Sequence, residues 1–170
     1  GLFSNVILGC RDATRGKSAV EEINKKLISS SPTLSSFTSV SFLPLDLSEP
    51  SSHSTFKHLI EENFGGRIDV LVNNGALAFK GSDPTPFMEQ TKPTLDVNFR
   101  RTLEFTEILL PMMRKHGNDA RIVNVASMAG RLKQIRSQEL QAQFRDANLS
   151  LTKLRRLVDQ FESDVQNGVH

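Results

Sequence analysis

The stretch Ile68-Asp69-Val70-Leu71-Val72-Asn73-Asn74-Gly75-Ala76 constrains this chain more than any other. An apolar run stops abruptly at two asparagines, a glycine and an alanine. Such a run reads as a strand buried on both faces, the pattern of a parallel sheet. The break puts amide side chains and a permissive backbone at the strand's carboxyl end, where open α/β sheets bind their ligands. The same chain contains no tyrosine.

The flanking segments fit a parallel sheet. Residues 6–10 read as a short buried strand, and residues 14–28 as an amphipathic helix with Ala19, Ile23 and Leu27 at helical spacing. Residues 29–39 are rich in Ser, Thr and Pro and read as a loop. Residues 40–46 form a second strand. Residues 49–62 form a helix with Pro50 near its start and Gly65-Gly66 at its end. Residues 69–72 make the third strand. Residues 86–116 are helical, with Pro93 and Pro111 as starts or bends, and residues 121–127 make the fourth strand. Four alternations of strand and helix predict a doubly wound parallel sheet. Residues 137–165 differ: Leu140 and Phe144, then Leu154, Leu157, Val158 and Phe161, recur at helical spacing around a break near Asn148. They read as two helices packed on the outside. Gly1-Leu2-Phe3 and Gly168-Val169-His170 both read as cut ends, and the first has no basic region of a signal peptide.

Composition narrows the partners. A chain of 170 residues, 38% apolar and 24% charged, suits one globular domain with a real core. A net charge of +2 without a basic run argues against a nucleic-acid partner. No apolar stretch has the length of a membrane span. The single cysteine, Cys10, excludes an internal disulfide and a Cys-rich zinc site, and at the end of an apolar run it reads as a small buried hydrophobe. A reducing compartment fits. His53, His58, His116 and His170 have no metal-binding spacing and read as surface residues, so no metal site is expected. The eleven phenylalanines lie in apolar stripes and read as core.

Four features coincide at strand ends: Arg11-Asp12 after the first, Asp46 at the second, Asn73-Asn74-Gly75-Ala76 at the third and Ser127 at the fourth, with Asn98 on the helix between. In this the chain resembles the short-chain dehydrogenase/reductase family, and more narrowly its monomeric NADPH-dependent carbonyl reductases. The likeness runs through Arg11-Asp12-Ala13-Thr14-Arg15-Gly16, Val70-Leu71-Val72-Asn73-Asn74, Ala78-Phe79-Lys80, Asp83-Pro84-Thr85-Pro86-Phe87 and Val123-Asn124-Val125-Ala126-Ser127. It implies an α/β, Rossmann-like doubly wound parallel sheet that is incomplete. The family's first strand and Gly-rich pyrophosphate turn are absent, as are its C-terminal strands, and neither Gly65-Gly66 nor Gly75 stands in for that turn. Residues 1–170 would be a single partial dinucleotide-binding domain. Residues 136–170 resemble an outer helical insertion that, in those reductases, covers a surface used elsewhere in the family for oligomer contacts. A monomer in the cytoplasm is therefore expected.

The resemblance also assigns roles. Arg11 and Arg15 match the position facing a cofactor's adenosine ribose, where arginine accommodates a 2′-phosphate, so NADPH is favoured over NADH. Read alone, both are helix-start arginines on a solvated face. Asp46, with Leu47 beside it, resembles the acid that binds the adenine amino group, a role compatible with capping the next helix. Asn74, with Gly75, resembles the residue that contacts cofactor and steadies the sheet. The usual Ala-Gly order is swapped here, so Ala76 would be strained if its site needs positive φ. Ser127 resembles the catalytic serine that holds the substrate carbonyl; alone it reads as a loop cap. Asn98 resembles the asparagine whose main chain anchors a proton-relay water at a helix kink; alone it reads as structural. Met128 to Gln134 are expected along the substrate wall.

The implied activity is NADPH-dependent reduction of ketones, aldehydes or quinones to alcohols. The family protonates the carbonyl oxygen with a tyrosine whose pKa is lowered by a lysine four residues on. That motif is expected shortly beyond His170. Two readings follow: a carbonyl reductase whose isolated 170-residue segment is inactive, or a truncated non-catalytic module for cofactor binding or interaction.

Overall fold

The computed structural model describes residues 4–30, 33, 38–114, 119–135 and 137–168. In chain order these form β1 (Asn5–Cys10), α1 (Ala13–Ser30), β2 (Ser39–Pro44), α2 (Pro50–Phe64), β3 (Val70–Asn73) and α3 (Phe87–Leu95). A π-helical turn (Asp96–Arg101) leads into α4 (Thr102–Arg114), followed by β4 (Arg121–Asn124), two short 3₁₀ turns, α5 (Gln138–Phe144) and α6 (Leu151–Gln166). Most of the Ser/Thr/Pro-rich loop lies outside the described residues, as do His116 and His170.

All strand pairing is parallel. β1 pairs with β2 from Asn5↔Ser39 to Cys10↔Pro44, and β3 with β4 from Val70↔Arg121 to Asn73↔Asn124. The strands thus make two two-stranded sheets, which fall in two compact units: Gly1–Asp69 with Arg101–Ala120, and Val70–Arg100 with Arg121–His170.

In the first unit α1 packs on β1 and β2, and α2 packs on β2 and α4. Its core is Val40, Phe56, Ile60, Phe105, Leu109, Met112 and Met113, with the Phe56 and Phe105 rings edge-to-face at 5.4 Å. Two glycines shape it. A Cβ on Gly16 would fall within the Phe42 ring, so only glycine lets the start of α1 lie this close to β2. Gly65, at φ 68, ends α2 in the left-handed conformation that glycine adopts without penalty. Pro50 opens α2 as expected.

In the second unit α6 packs on α3, burying Leu157 and Val165. Ser137 caps α5 by accepting from Leu140 N (3.1 Å), and Ser150 caps α6 by accepting from Lys153 N (3.2 Å). The break between these helices falls at 145–150, around Asn148 as predicted.

Three expectations are corrected. β3 is not buried on both faces: Val72 is 54% exposed, and all four β4 residues are exposed. Each strand has one partner, and in this unit α6 spends its apolar face on α3 rather than on the sheet. His53 is wholly buried, not a surface residue. Cys10 is only partly buried. Pro93 and Pro111, expected as helix starts or bends, sit inside α3 and α4. Among the described residues no helix is long and apolar enough to cross a membrane.

Candidate functional site

Arg11, Arg15, Asp46 and Leu47 belong to the first unit, and Asn74, Gly75, Asn98 and Ser127 to the second.

The parallel register brings the ends of β1 and β2 side by side, and Leu45 N donates to Cys10 O at 3.1 Å just beyond the paired strands. Arg11 therefore emerges next to Asp46, close enough that its charge stabilises the carboxylate. Asp46 Oδ1 accepts from Ser48 N (2.9 Å) and Ser48 Oγ (2.6 Å). These bonds, with the help of Arg11, hold its carboxyl below the usual range despite some burial. Among the described residues no hydrogen bond reaches Asp46 Oδ2. Asp12 caps α1 by accepting from Arg15 N (3.0 Å), and its other oxygen lies 3.4 Å from Arg15 Nε. This ion pair leaves the Arg15 side chain 85% exposed. Arg11 makes no ion pair among the described residues. The unit thus presents a free guanidinium beside a carboxylate with one uncommitted oxygen, a donor set that fits a phosphorylated ribose joined to an amino-bearing base.

In the second unit, Val125 N donates to Asn73 O at 3.0 Å, extending the β3–β4 pairing past Asn124. Asn74 and Ser127 follow these paired ends, and both are exposed. Ser127 O accepts from Gly130 N (3.0 Å), so the serine opens the 3₁₀ turn Met128–Gly130. Met128 is 70% exposed. Asn98 lies in the π-helical turn. Its side chain grips one residue's backbone: Nδ2 donates to Leu77 O (2.8 Å) and Oδ1 accepts from Leu77 N (2.7 Å). This clamp fixes the chain two residues beyond Gly75 and commits the Asn98 side-chain amide. Positive φ among the described residues is confined to Gly65, Gly66 and Gly168, so Ala76 carries no strain from the swapped order.

Pro93 lies inside α3, three residues before the π turn begins at Asp96; lacking an N–H, it leaves the carbonyl four residues back without its helical donor. Asp96 accepts from Lys92 (2.8 Å) and from Arg100 (2.8 Å), while Arg100 also donates to Asp159 (2.7 Å) and pairs with Glu162 (2.6 Å). Burial opposes ionisation of both groups, but the bonds prevail: Asp96 is shifted down and Arg100 up.

Sequence reasoning missed two parts of this arrangement. Leu77 contributes only backbone, which no side-chain pattern announces. Ser52 and His53 brace the Asp46–Leu47 turn: Asp46 N donates to Ser52 Oγ (2.8 Å), and His53 Nε2 lies 3.1 Å from Leu47 O. A signal for His53 was present, since His53, Phe56 and Ile60 share the buried stripe of α2.

The model of the family described as short chain dehydrogenase matches residues 5–139. The chain belongs to this family. Among its curated members, carbonyl reductase (NADPH) 1 of Homo sapiens is 36% identical over 171 residues, covering 99% of this chain and 57% of that protein. Carbonyl reductase (NADPH) 3 of Rattus norvegicus is 36% identical over 168 residues, covering 98% of this chain and 55% of that protein. The chain thus spans somewhat more than half the length of these family members. Menthone neomenthol reductase from Mentha piperita (TM-score 0.79, 24% identity, 96% of this chain and 66% of that one) shares the fold. So does salutaridine reductase from Papaver somniferum (TM-score 0.77, 24% identity, 96% and 63%). The chain therefore has an incomplete α/β Rossmann-like fold of this family.

Proposed function

We propose that this chain carries the adenosine-binding and carbonyl-orienting parts of an NADPH-dependent carbonyl reductase acting on small ketones, aldehydes or quinones. The observation that carries the reading is that Arg11 and Asp46 follow adjacent parallel strand ends, with the Arg11 charge favouring the Asp46 carboxylate. The naming of its 36%-identical relatives as NADPH carbonyl reductases supports it. Arg11, with Arg15 beside it, would receive the 2′-phosphate, and Asp46 Oδ2 the adenine amino group. Leu47 would lie along the adenine, and Asn74 and Gly75 against the cofactor beyond the end of β3. NADPH, when bound, supplies the hydride for the carbonyl carbon. Ser127 Oγ would donate a hydrogen bond to the carbonyl oxygen, holding and polarising it. The main chain of Asn98 would anchor a water for proton delivery. Residues 136–170 are proposed as an insertion on a single domain that keeps the protein monomeric, in the cytoplasm.

Protonation of the carbonyl oxygen needs a donor, and these 170 residues contain no tyrosine. The segment alone is therefore expected to bind NADPH weakly, in preference to NADH, without turnover. Fluorescence titration with both nucleotides, and an assay of NADPH-driven quinone reduction, test this. Equal affinity for the two would overturn the assignment of Arg11, and turnover would overturn the inactivity. The absence of tyrosine also favours a second reading, a cofactor-binding or interaction module without catalysis. The flanking coding sequence discriminates: an upstream Gly-rich turn and a downstream Tyr-x-x-x-Lys support the enzyme.

A further inference from the structure

His53 occupies a position that the packing reserves for a hydrophobe. It is 0% exposed, its ring centroid lies 5.2 Å from that of Phe105, and it continues the stripe of Phe56 and Ile60. Leu47 O can only accept, so the 3.1 Å contact requires the proton on Nε2. In the neutral ring Nδ1 is then a bare acceptor, and among the described residues it is buried with no partner. A phenylalanine here would fill the same space without burying an unpaired ring nitrogen, but would leave Leu47 O without this donor. What imidazole adds is the bond to Leu47.

We infer that His53 is a positioning residue for the adenine-facing turn, tying Leu47 O to α2 so that Asp46 Oδ2 stays free and correctly aimed. The inference rests on the adenosine-site reading above. Two neighbouring residues of α2 grip consecutive residues of the turn: Ser52 Oγ accepts from Asp46 N, and His53 Nε2–H donates to Leu47 O. With Ser48 holding Oδ1, the turn is fixed from three directions. Losing the His53 tether would let the Leu47 peptide rotate and carry the Asp46 carboxylate with it.

The test is calorimetric binding of adenosine 2′,5′-bisphosphate to the 170-residue chain and its His53→Phe and His53→Gln variants, with melting temperatures measured alongside. His53→Phe should weaken binding by about tenfold, the worth of one well-placed hydrogen bond. His53→Gln sets an amide N–H near the Nε2 position and should recover most of the loss. If wild type binds and His53→Phe binds equally well, the inference fails while the adenosine site stands, even if the melting temperature falls. If wild type does not bind, the adenosine-site reading fails and takes the inference with it. A measurement on wild type needs no variant: ring-nitrogen NMR shifts should report the Nε2–H tautomer, and an Nδ1–H tautomer would overturn the proposal.

Discussion

Asp46 illustrates how a carboxylate just past a strand end is held in place. Its backbone N–H goes to Ser52, its Oδ1 to Ser48, and Arg11 stands nearby, so the side chain is held rather than merely exposed. The Ser48 bonds, aided by Arg11, depress its folded pKa below the unfolded value of about 3.9. A depressed carboxylate stabilises the fold fully above the unfolded pKa, and that contribution fades as pH falls through the folded pKa. The stability difference between wild type and Asp46→Asn, from urea unfolding, should therefore be constant near neutrality and shrink below about pH 4. A difference that instead grows toward acid would contradict the assigned bonds. At this scale the positions of Arg11, Asp46 and Ser127 shortly after the strands were legible because apolar runs mark strand ends, although β2 and β4 end at Pro44 and Asn124, earlier than expected. His53 was not, because a polar residue is assumed solvated unless its helical stripe is followed.

Two residues stand out in the segment from α3 to α4: Pro93 inside α3 and Arg100 in the π turn. Pro93 was legible as a bend, but not that the helix would continue through it and on into a π turn. A periodicity argument locates the missing N–H without saying how neighbouring carbonyls are satisfied. Nor could sequence spacing pair Arg100 with Asp159 and Glu162, which lie on a helix far along the chain. This arginine ties the turn that carries Asn98 to α6. Its side chain is 28% exposed and that of Glu162 19%, so the pair is shielded enough to matter, whereas Asp159 is 62% exposed and adds little. Arg100→Met should destabilise the chain by about 1–3 kcal/mol, because Glu162 is left without its cation. Arg100→Lys should restore only part, since an ammonium cannot span three carboxylates in the geometry of a guanidinium. Urea midpoints rank the three proteins, and equal midpoints for wild type and Arg100→Met would show the cluster to be energetically idle.

For the whole chain, the alternation of strands and helices made the parallel α/β class readable, while the number of neighbours each strand has was not. An apolar run states how much surface a strand can bury, not what buries it. Val70, Val72, Val123 and Val125 lie on one side of the β3–β4 ladder together with Arg121, by alternation and register. Of these Val72, Val123 and Val125 are 54%, 46% and 58% exposed. A mostly β-branched face on a sheet that has two strands among the described residues is a template for pairing with other chains. The purified 170-residue chain should therefore aggregate in a concentration-dependent way through this sheet. Val72→Lys puts a charge in the middle of that face, where it removes little buried area and opposes stacking of like faces. Light scattering should show its aggregation onset at several-fold higher protein concentration than wild type, with an unchanged far-ultraviolet circular dichroism spectrum. The same substitution at the buried Val40 of β2 should unfold the first unit instead, because lysine there has no route to water. If Val72→Lys aggregates at the wild-type concentration, association runs through another surface, and the exposed valines of β3 and β4 are not what limits solubility.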